Sequence, residues 1–462
     1  MSLRVATAGL ELMEDALRAQ GLDPIAIDWK PPASGRADDL ALLGAAYGDQ
    51  RIERANAAAL STLADARPVL VGAGPAADRI PGVAGERLIL HAGPKVDAAD
   101  MCAPQRIAAA AACVFEGWAP DTAAAVELLT RGDVALAPTH SLGAAGAMTG
   151  IISPSMAVWE TRDEESDTAS FSPLCDGPGD AFWLGVGSDE AIARQQLLAD
   201  VVAPAFDAAL SADGPLEVFP LLAEAVAMGD DCHMRHQAAT MLLLRRTLGS
   251  MGAHAPGAVA DVGRLLADNG HFALTVTIAA CRVALERMRG TEGSSMVTFV
   301  SRNGVDAAIE LAGLPGQWFS APAEMVGDAL YRPGVGDADA APDIGDSALI
   351  ECCGLGAAAS AASPSVAAFL GGTLADAVER TRYMDDITLA QSETFRIPTL
   401  DGEGTPLGVD ARAVLDLGQT PLINTGILHR VEGGQIGAGV AAAPLEPFRA
   451  ALRALVERPS AS

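Results

Sequence analysis

Positive charge is scarce in this chain. Lysine occurs only at Lys30 and Lys95, and 31 basic residues stand against 59 acidic ones, a formal net charge of −28. Nucleic-acid affinity comes from Lys and Arg neutralising phosphates, so this balance excludes a nucleic-acid partner. Acidity of this kind serves solubility and names no cationic partner. Aromatic residues are only 4%. The seven cysteines are odd in number and lack paired spacing, which in a long chain fits reduced thiols in a cytoplasm rather than a disulfide framework. No apolar signal core follows Met1, and Glu11 and Glu14 come early. The longest apolar tracts, such as Ala108–Val114 and Ala357–Ala362, are too short or too alanine-rich to span a bilayer. A soluble, cytoplasmic protein with no membrane partner is expected. There is no G-x-G-x-x-G, no P-loop and no G-x-S-x-G, so no nucleotide is indicated by motif, and no cofactor is expected.

What is present is apolar and helix-forming. Hydrophobic residues make up 50% of 462, with long tracts of alanine, leucine and glycine. That length exceeds one ordinary core and predicts two or three domains. Strand-like Leu3–Ala8, Pro24–Asp28, Val69–Gly72 and Leu88–His91 alternate with helical Leu10–Gln20, Gln50–Ala64 and Pro104–Val114. Such alternation predicts a parallel α/β sheet, Rossmann-like, over 1–120. From about Asp189 to Arg289 the pattern is helical, a domain over 191–289. Met296–Ser301, Ala307–Ala312 and Ser347–Cys352 read as strands and Ser365–Arg380 as a helix. An α/β (α+β) domain with glycine-rich loops is therefore expected over 121–190 and 290–450. The acidic, Pro/Gly-rich Arg332–Asp346 reads as a loop long enough for a lid or ligand-binding segment.

The most informative stretch is Gly229–Thr240, where Asp230, Asp231, Cys232, His233, Arg235 and His236 crowd together. Gly229 breaks the apolar Leu221–Met228, and Asp230 or Asp231 can cap a helix running to about Leu244. On that helix His233, His236 or Gln237, and Thr240 share one face. Two readings follow: the wall of a cleft, or a capped helix with solvated or satisfied histidines. Zinc at Cys232, His233, His236, Cys352 and Cys353 fits no established spacing, so no metal is expected. A Cys232–His233 nucleophile pair is a further reading, though adjacent residues on one helix point in different directions.

Several loops carry polar residues suited to anions. Asn424-Thr425-Gly426, followed by His429 and by Gln435 among glycines, lets backbone N–H groups approach an anion, or simply forms a hairpin. Arg302 in Ser301-Arg302-Asn303-Gly304 can clamp a planar oxyanion, or the segment is a surface turn. His140 can act as acid/base or bind a carbonyl oxygen, or be structural. Asp343 and Asp346 before Ser347 can grip an amide. Glu116 lies at a helix end beside Trp118.

In order, Asp28-Trp29-Lys30-Pro31-Pro32, His91-Ala92-Gly93-Pro94, Phe115-Glu116-Gly117-Trp118, Ser153-Pro154-Ser155-Met156, Met228–His233, Ser301–Gly304, Asp343–Ser347 and Asn424–Ile427 resemble the YlbE/YahG-like family, catalogued as a domain of unknown function. The resemblance runs from about Leu3 to Phe448. It implies similarity to a component of the oxamate carbamoyltransferase system, working beside an FdrA-like, acyl-CoA-synthetase-related chain and a carbamate kinase. The implied reaction moves a carbamoyl group between carbamoyl phosphate and an amide such as oxamate, in homo- or hetero-oligomers. Under it His140, His233, Asp230 and Arg302 are catalytic candidates. Asp231, Arg235, Asn303, Asp346, Ser347, Ser153, Ser155, Asn424, Thr425, Gly426, His429 and Gln435 are substrate-binding candidates. This chain departs from the family at Met234 and His236, where asparagines are usual, and at Thr139-His140-Ser141, where histidines are. Both departures bear on the substrate more than on the chemistry. A non-catalytic partner subunit is the competing reading, and hydrolysis of an N-carbamoyl compound a third.

Overall fold

The helix Leu274–Met288 has no polar face. Thirteen of its side chains are buried, Arg282 among them, and only Glu286 and Arg287 reach outward. A helix apolar all round must lie inside a core. In the computed structural model, which describes residues 5–8, 11–27, 30–166 and 168–458, this helix packs against strands of two different sheets. One sheet orders Ala169–Pro173, Ala157–Asp163, Pro68–Pro75 and Leu216–Glu217, antiparallel throughout. The other orders Phe319–Pro322, Asp306–Leu311, Val297–Asn303 and Ile344–Gly345, also antiparallel. A third sheet of Gly327–Tyr331, Gln435–Ala442 and Leu422–Leu428 carries the 422–428/435–442 hairpin. One buried cluster runs from Ala33 to Leu455 and includes Leu70, Phe206, Leu243, Ile278, Phe395 and Ile423. The few aromatics concentrate there: Trp159, Phe206 and Phe272 meet with ring centroids 5.2–5.6 Å apart.

The molecule mixes helices with several small sheets, and among the described residues the expected continuous parallel sheet over 1–120 is not one of them. Among the described residues, parallel strand pairing is found in two separate pairs, Ala6–Ala8 with Ile25–Ile27 and Leu88–His91 with Ala135–Pro138, besides the isolated bridge Ala144 to Phe171. Pro68–Pro75 instead runs antiparallel to Ala157–Asp163 and Leu216–Glu217. Its partners are distant in sequence, and local alternation of strand and helix carries no information about them. The helical stretch is present, as Asp189–Leu197, Ala203–Asp213, Val218–Ala227, Gln237–His254, Val259–Asp268 and Leu274–Met288. Ser347–Cys352 is not a strand: Leu349–Cys352 forms a helical turn. A short apolar run buried on all sides has no period by which to tell the two apart. Among the described residues no helix is long and apolar enough to cross a membrane. Leu3, Leu10, Asp28 and Trp29, on which some expectations fall, lie outside the described residues.

The loops meet around Asp346. Its buried carboxylate accepts from Gly93 N at 2.9 Å, Gly146 N at 3.0 Å and Thr139 Oγ1 at 2.6 Å, and from Ser301 Oγ. Gly93 has φ +87°, and a Cβ there would strike the backbone of Arg302 and Asn303, so glycine permits this close approach. The expected lid Arg332–Asp346 is thereby tied down at its far end, with Ala340, Ala341, Asp343 and Asp346 all buried.

Asp346→Ala leaves those four donors without an acceptor. Each buried orphan costs about 1–3 kcal/mol, so a loss on the order of 4 kcal/mol is expected in the urea unfolding free energy. A loss below about 1 kcal/mol would show that Asp346 is not the tie described.

Candidate functional site

Two adjacent buried carboxylates, Asp230 and Asp231, shape the loop that follows Val218–Ala227. Gly229, at φ +97°, reverses the chain. Asp231 Oδ1 then accepts from the backbone N–H groups of His233, Met234 and Arg235 at 3.2, 3.0 and 2.8 Å. Its Oδ2 accepts from Asn424 Nδ2 at 2.8 Å, stitching the loop to the strand Leu422–Leu428. Asp230 accepts from Ala239 N at 2.8 Å and so caps the next helix from outside it, while its other oxygen holds the Arg235 guanidinium. Burial pushes the Asp230 carboxyl up to about 6, against the pull of the Ala239 N–H and of Arg235.

The helix expected from Asp230 or Asp231 therefore begins only at Gln237. Asp231 holds the loop rather than a helix start, Asp230 caps the helix from seven residues upstream of its first residue, and the shared face of His233, His236 and Thr240 does not form. His236 is sealed in the core with both ring nitrogens unpartnered. Thr240 bridges Gly270 O and Ala273 N. Cys232 is fully buried at φ +59°, and burial raises its thiol far above the ordinary range.

The loop presents His233. Its Nδ1 lies 2.6 Å from Glu351 Oε1, and both side chains are buried, His233 at 5% and Glu351 at 0% exposure. Glu351 Oε1 also receives Asn424 N at 3.3 Å, and its Oε2 has no partner. Burial raises the Glu351 carboxyl, opposed by the adjacent His233 ring. Gly356, at φ +61°, passes so close that a Cβ would collide with Glu351 Oε1. With Nδ1 engaged by a carboxylate, Nε2 is the nitrogen left for proton transfer.

His233 lines a cavity of about 480 Å³ between this loop, the 422–428/435–442 hairpin and the helix Pro364–Phe369. Arg235, Ser347, Asn424, Thr425, Gly426 and Gln435 share its wall. Gln237, read from the sequence as an alternative to His236 on the face shared with His233, lines it too, as do His271, Trp183 and Met148, which were not anticipated. Arg235 is partly exposed there, with one nitrogen on Asp230 and another 3.4 Å from Gln237 Oε1. The segment 424–435 is thus the expected hairpin.

Other candidates lie elsewhere. Arg302 is buried, and Nε and Nη2 bind Asp343 at 2.7 and 3.2 Å while Nη1 binds Gly345 O. Its fork is filled internally, which corrects the expectation of an oxyanion clamp; Thr425 Oγ1 at 3.2 Å from Asp343 links this pair to the cavity wall. Asp346 is the loop tie described above and holds no open acceptor for substrate. Asn303 is a turn residue, binding Val305 N, Asp306 N and Pro94 O. Ser153 and Ser155 both bind Glu116. His429 Nδ1 accepts from Val431 N and Glu432 N in the hairpin turn. His140 stacks on Trp318 in a second cavity of about 490 Å³. Among the described residues no three His, Cys, Asp or Glu side chains converge to hold a metal ion.

Glu351 is the important residue that sequence reasoning missed. It is the single charged residue between Asp346 and Asp376, and a lone carboxylate in so apolar a run must find a buried partner.

Burial holds four imidazoles neutral. His236 lies well below its ordinary value, His140 falls to about 3, and His91 and His271 are lowered. A base depressed in the folded state contributes stability above about pH 6.5 that is lost as pH falls. His236→Leu removes one such group. Between pH 6.5 and 5 the variant should lose about 1.4 kcal/mol less per pH unit than the unaltered protein in denaturant titrations. Parallel pH profiles would refute a neutral, sealed His236.

Comparison with known proteins gives consistent matches. Residues 134–347 match the family model described as oxamate carbamoyltransferase subunit AllG. The chain is 32% identical to the uncharacterized protein YahG of Escherichia coli (strain K12), over 99% of this chain and 98% of that one. It is 35% identical to the oxamate carbamoyltransferase subunit AllG of the same organism, over 88% and 98%. A solved structure of a conserved protein of unknown function from Enterococcus faecalis V583 superposes with a TM-score of 0.85 at 34% identity, covering 88% of this chain and 97% of that one.

Proposed function

The chain belongs to the AllG/YahG family, and from that premise we propose that it is a subunit of an oxamate-carbamoyltransferase-type system whose transfer chemistry is served by the His233 cavity. The observation that carries this reading is the buried His233–Glu351 pair beside a partly exposed guanidinium.

Carbamoyl transfer to an amide is limited by the poor nucleophilicity of the amide nitrogen. A base must take its proton as the new C–N bond forms, and the C–O bond to phosphate breaks with its electron pair leaving on phosphate. His233 Nε2 is that base. Glu351 fixes the ring's orientation and stabilises the imidazolium that forms, in the manner of a carboxylate behind a catalytic histidine. Arg235 sits where it can meet the carboxylate of an oxamate-like acceptor. Asn424, Thr425 and Gln435 supply polar groups along the same wall.

One observation favours completion by a second chain. Arg235 is the single Arg or Lys among the described residues lining the cavity, and it is already paired with Asp230. A phosphate leaving group needs more positive charge than that. We propose that a partner, of the FdrA-like kind implied by the family resemblance, brings it. In the extreme form of this reading the chain is a non-catalytic partner.

The test is phosphate release from carbamoyl phosphate and oxamate, with the chain alone and with its partner chains. His233→Asn should lower kcat by about 10²-fold or more while preserving the fold, the range expected for a lost general base. Glu351→Gln should lower kcat with a smaller effect on KM. Full turnover by His233→Asn in the assembled system would remove His233 from the chemistry and leave this chain as the non-catalytic partner.

A further inference from the structure

Outside the His233 cavity, two unpartnered buried polar atoms belong to residues lining a second cavity, which shares no lining residue with the first. Trp318 stacks on His140, ring centroids 3.8 Å apart and planes 29° apart. Phe299 stands nearly edge-on to both, at 6.0 and 5.5 Å. The Arg282 guanidinium lies 5.6 Å from the Phe299 ring centroid. Three aromatic rings in a chain with so few make a slot suited to something flat.

The charges around this slot cancel. Arg282 pairs with Glu286 at 3.2 Å, and Arg289 pairs with Glu310 at 2.9 Å and with Glu286 at 3.2 Å. An anion entering would face two carboxylates, and a cation two guanidinium groups. What is left unmet is neutral in character. Arg282 Nε–H and His140 Nε2 are both sealed from solvent with no hydrogen-bond partner. Buried donors and ring nitrogens are rarely left bare, because each forfeits its hydration without compensation. Burial also keeps the His140 ring uncharged, at about 3.

We propose that this cavity is a second small-molecule site, taking an uncharged planar amide. The amide C=O accepts from Arg282 Nε, its N–H donates to His140 Nε2, and its plane lies against Phe299. Trp318, half-buried next to the edge strand Phe319–Pro322, moves off the imidazole to admit it. The site is independent of the carbamoyl-transfer reading, since neither His233 nor Glu351 contributes to it.

The probes are benzamide, benzoate and benzylammonium, alike in shape and different in charge. The full-length protein with ¹⁵N-labelled indoles has five tryptophan signals, and that of Trp318 is the one absent from Trp318→Phe. Benzamide should shift the Trp318 signal saturably, while benzoate and benzylammonium bind at least about tenfold more weakly, as one lost hydrogen bond and one misplaced charge require. His140→Phe keeps the aromatic stack and should weaken benzamide about tenfold. If that variant does not fold, Trp318→Leu, altered at a half-exposed position, should bind benzamide with a changed affinity in calorimetry. An unmoved Trp318 signal, equal binding of benzoate, undiminished benzamide binding by a folded His140→Phe, or an unchanged affinity in Trp318→Leu overturns the proposal.

Discussion

A carboxylate taken out of water must be surrounded by donors, and Asp231 meets that demand by folding its own chain around itself. Three successive backbone N–H groups, of His233, Met234 and Arg235, turn inward to one oxygen, and Asn424 turns to the other. The His233 side chain can reach Glu351 only because those amides are fixed. The helix starts only at Gln237, after Cys232 has taken a left-handed conformation within the loop. Asp230 repeats the arrangement with Ala239 N and Arg235. Loop, cap and cavity wall therefore descend from two side chains.

Low polarity gives the His233–Glu351 pair its chemical interest. In water such a pair is weak; in the low-polarity wall of a cavity the hydrogen bond between the two side chains is stronger. Glu351 carries the desolvation cost in a carboxyl raised by burial and in an oxygen with no partner. Gly356 gives it room, and Asn424 joins it to the segment that also anchors Asp231. A network in which the same strand residue touches both carboxylates is rigid. Rigidity of that kind is what holding a base within hydrogen-bond reach of a substrate nitrogen needs.

Much of the secondary structure was legible from local patterns. Gln50–Ala64 and Leu88–His91 occupy the predicted bounds, and the helical stretch after Asp189 follows from periodicity alone. The polar stretch Gly229–Thr240 announced itself by composition, and its His233 and Arg235 do line a cavity of about 480 Å³. Its conformation was not legible, because Asp230 and Asp231 read equally well as helix caps and as the centre of a loop. Arg302 and Asp346 looked like ligands of an external molecule for a related reason. Sequence shows that a charge is present but not which internal group consumes it. Glu351 was invisible from the opposite side, its apolar neighbours suggesting a strand without function.

Composition, period and the order of motifs belong to the chain alone, and they sufficed for a mixture of helix and strand, for an AllG/YahG-like family and for locating the residues rich in chemistry. The tertiary structure decided which of those residues face a cavity and which face one another. It drew His233 to Glu351 across 118 positions, filled the Arg302 fork with Asp343, and set His140 apart in its own cavity. The physical reason is common to all three. A buried polar group takes the nearest complementary partner in space, and spatial proximity between distant segments is fixed only when the core closes.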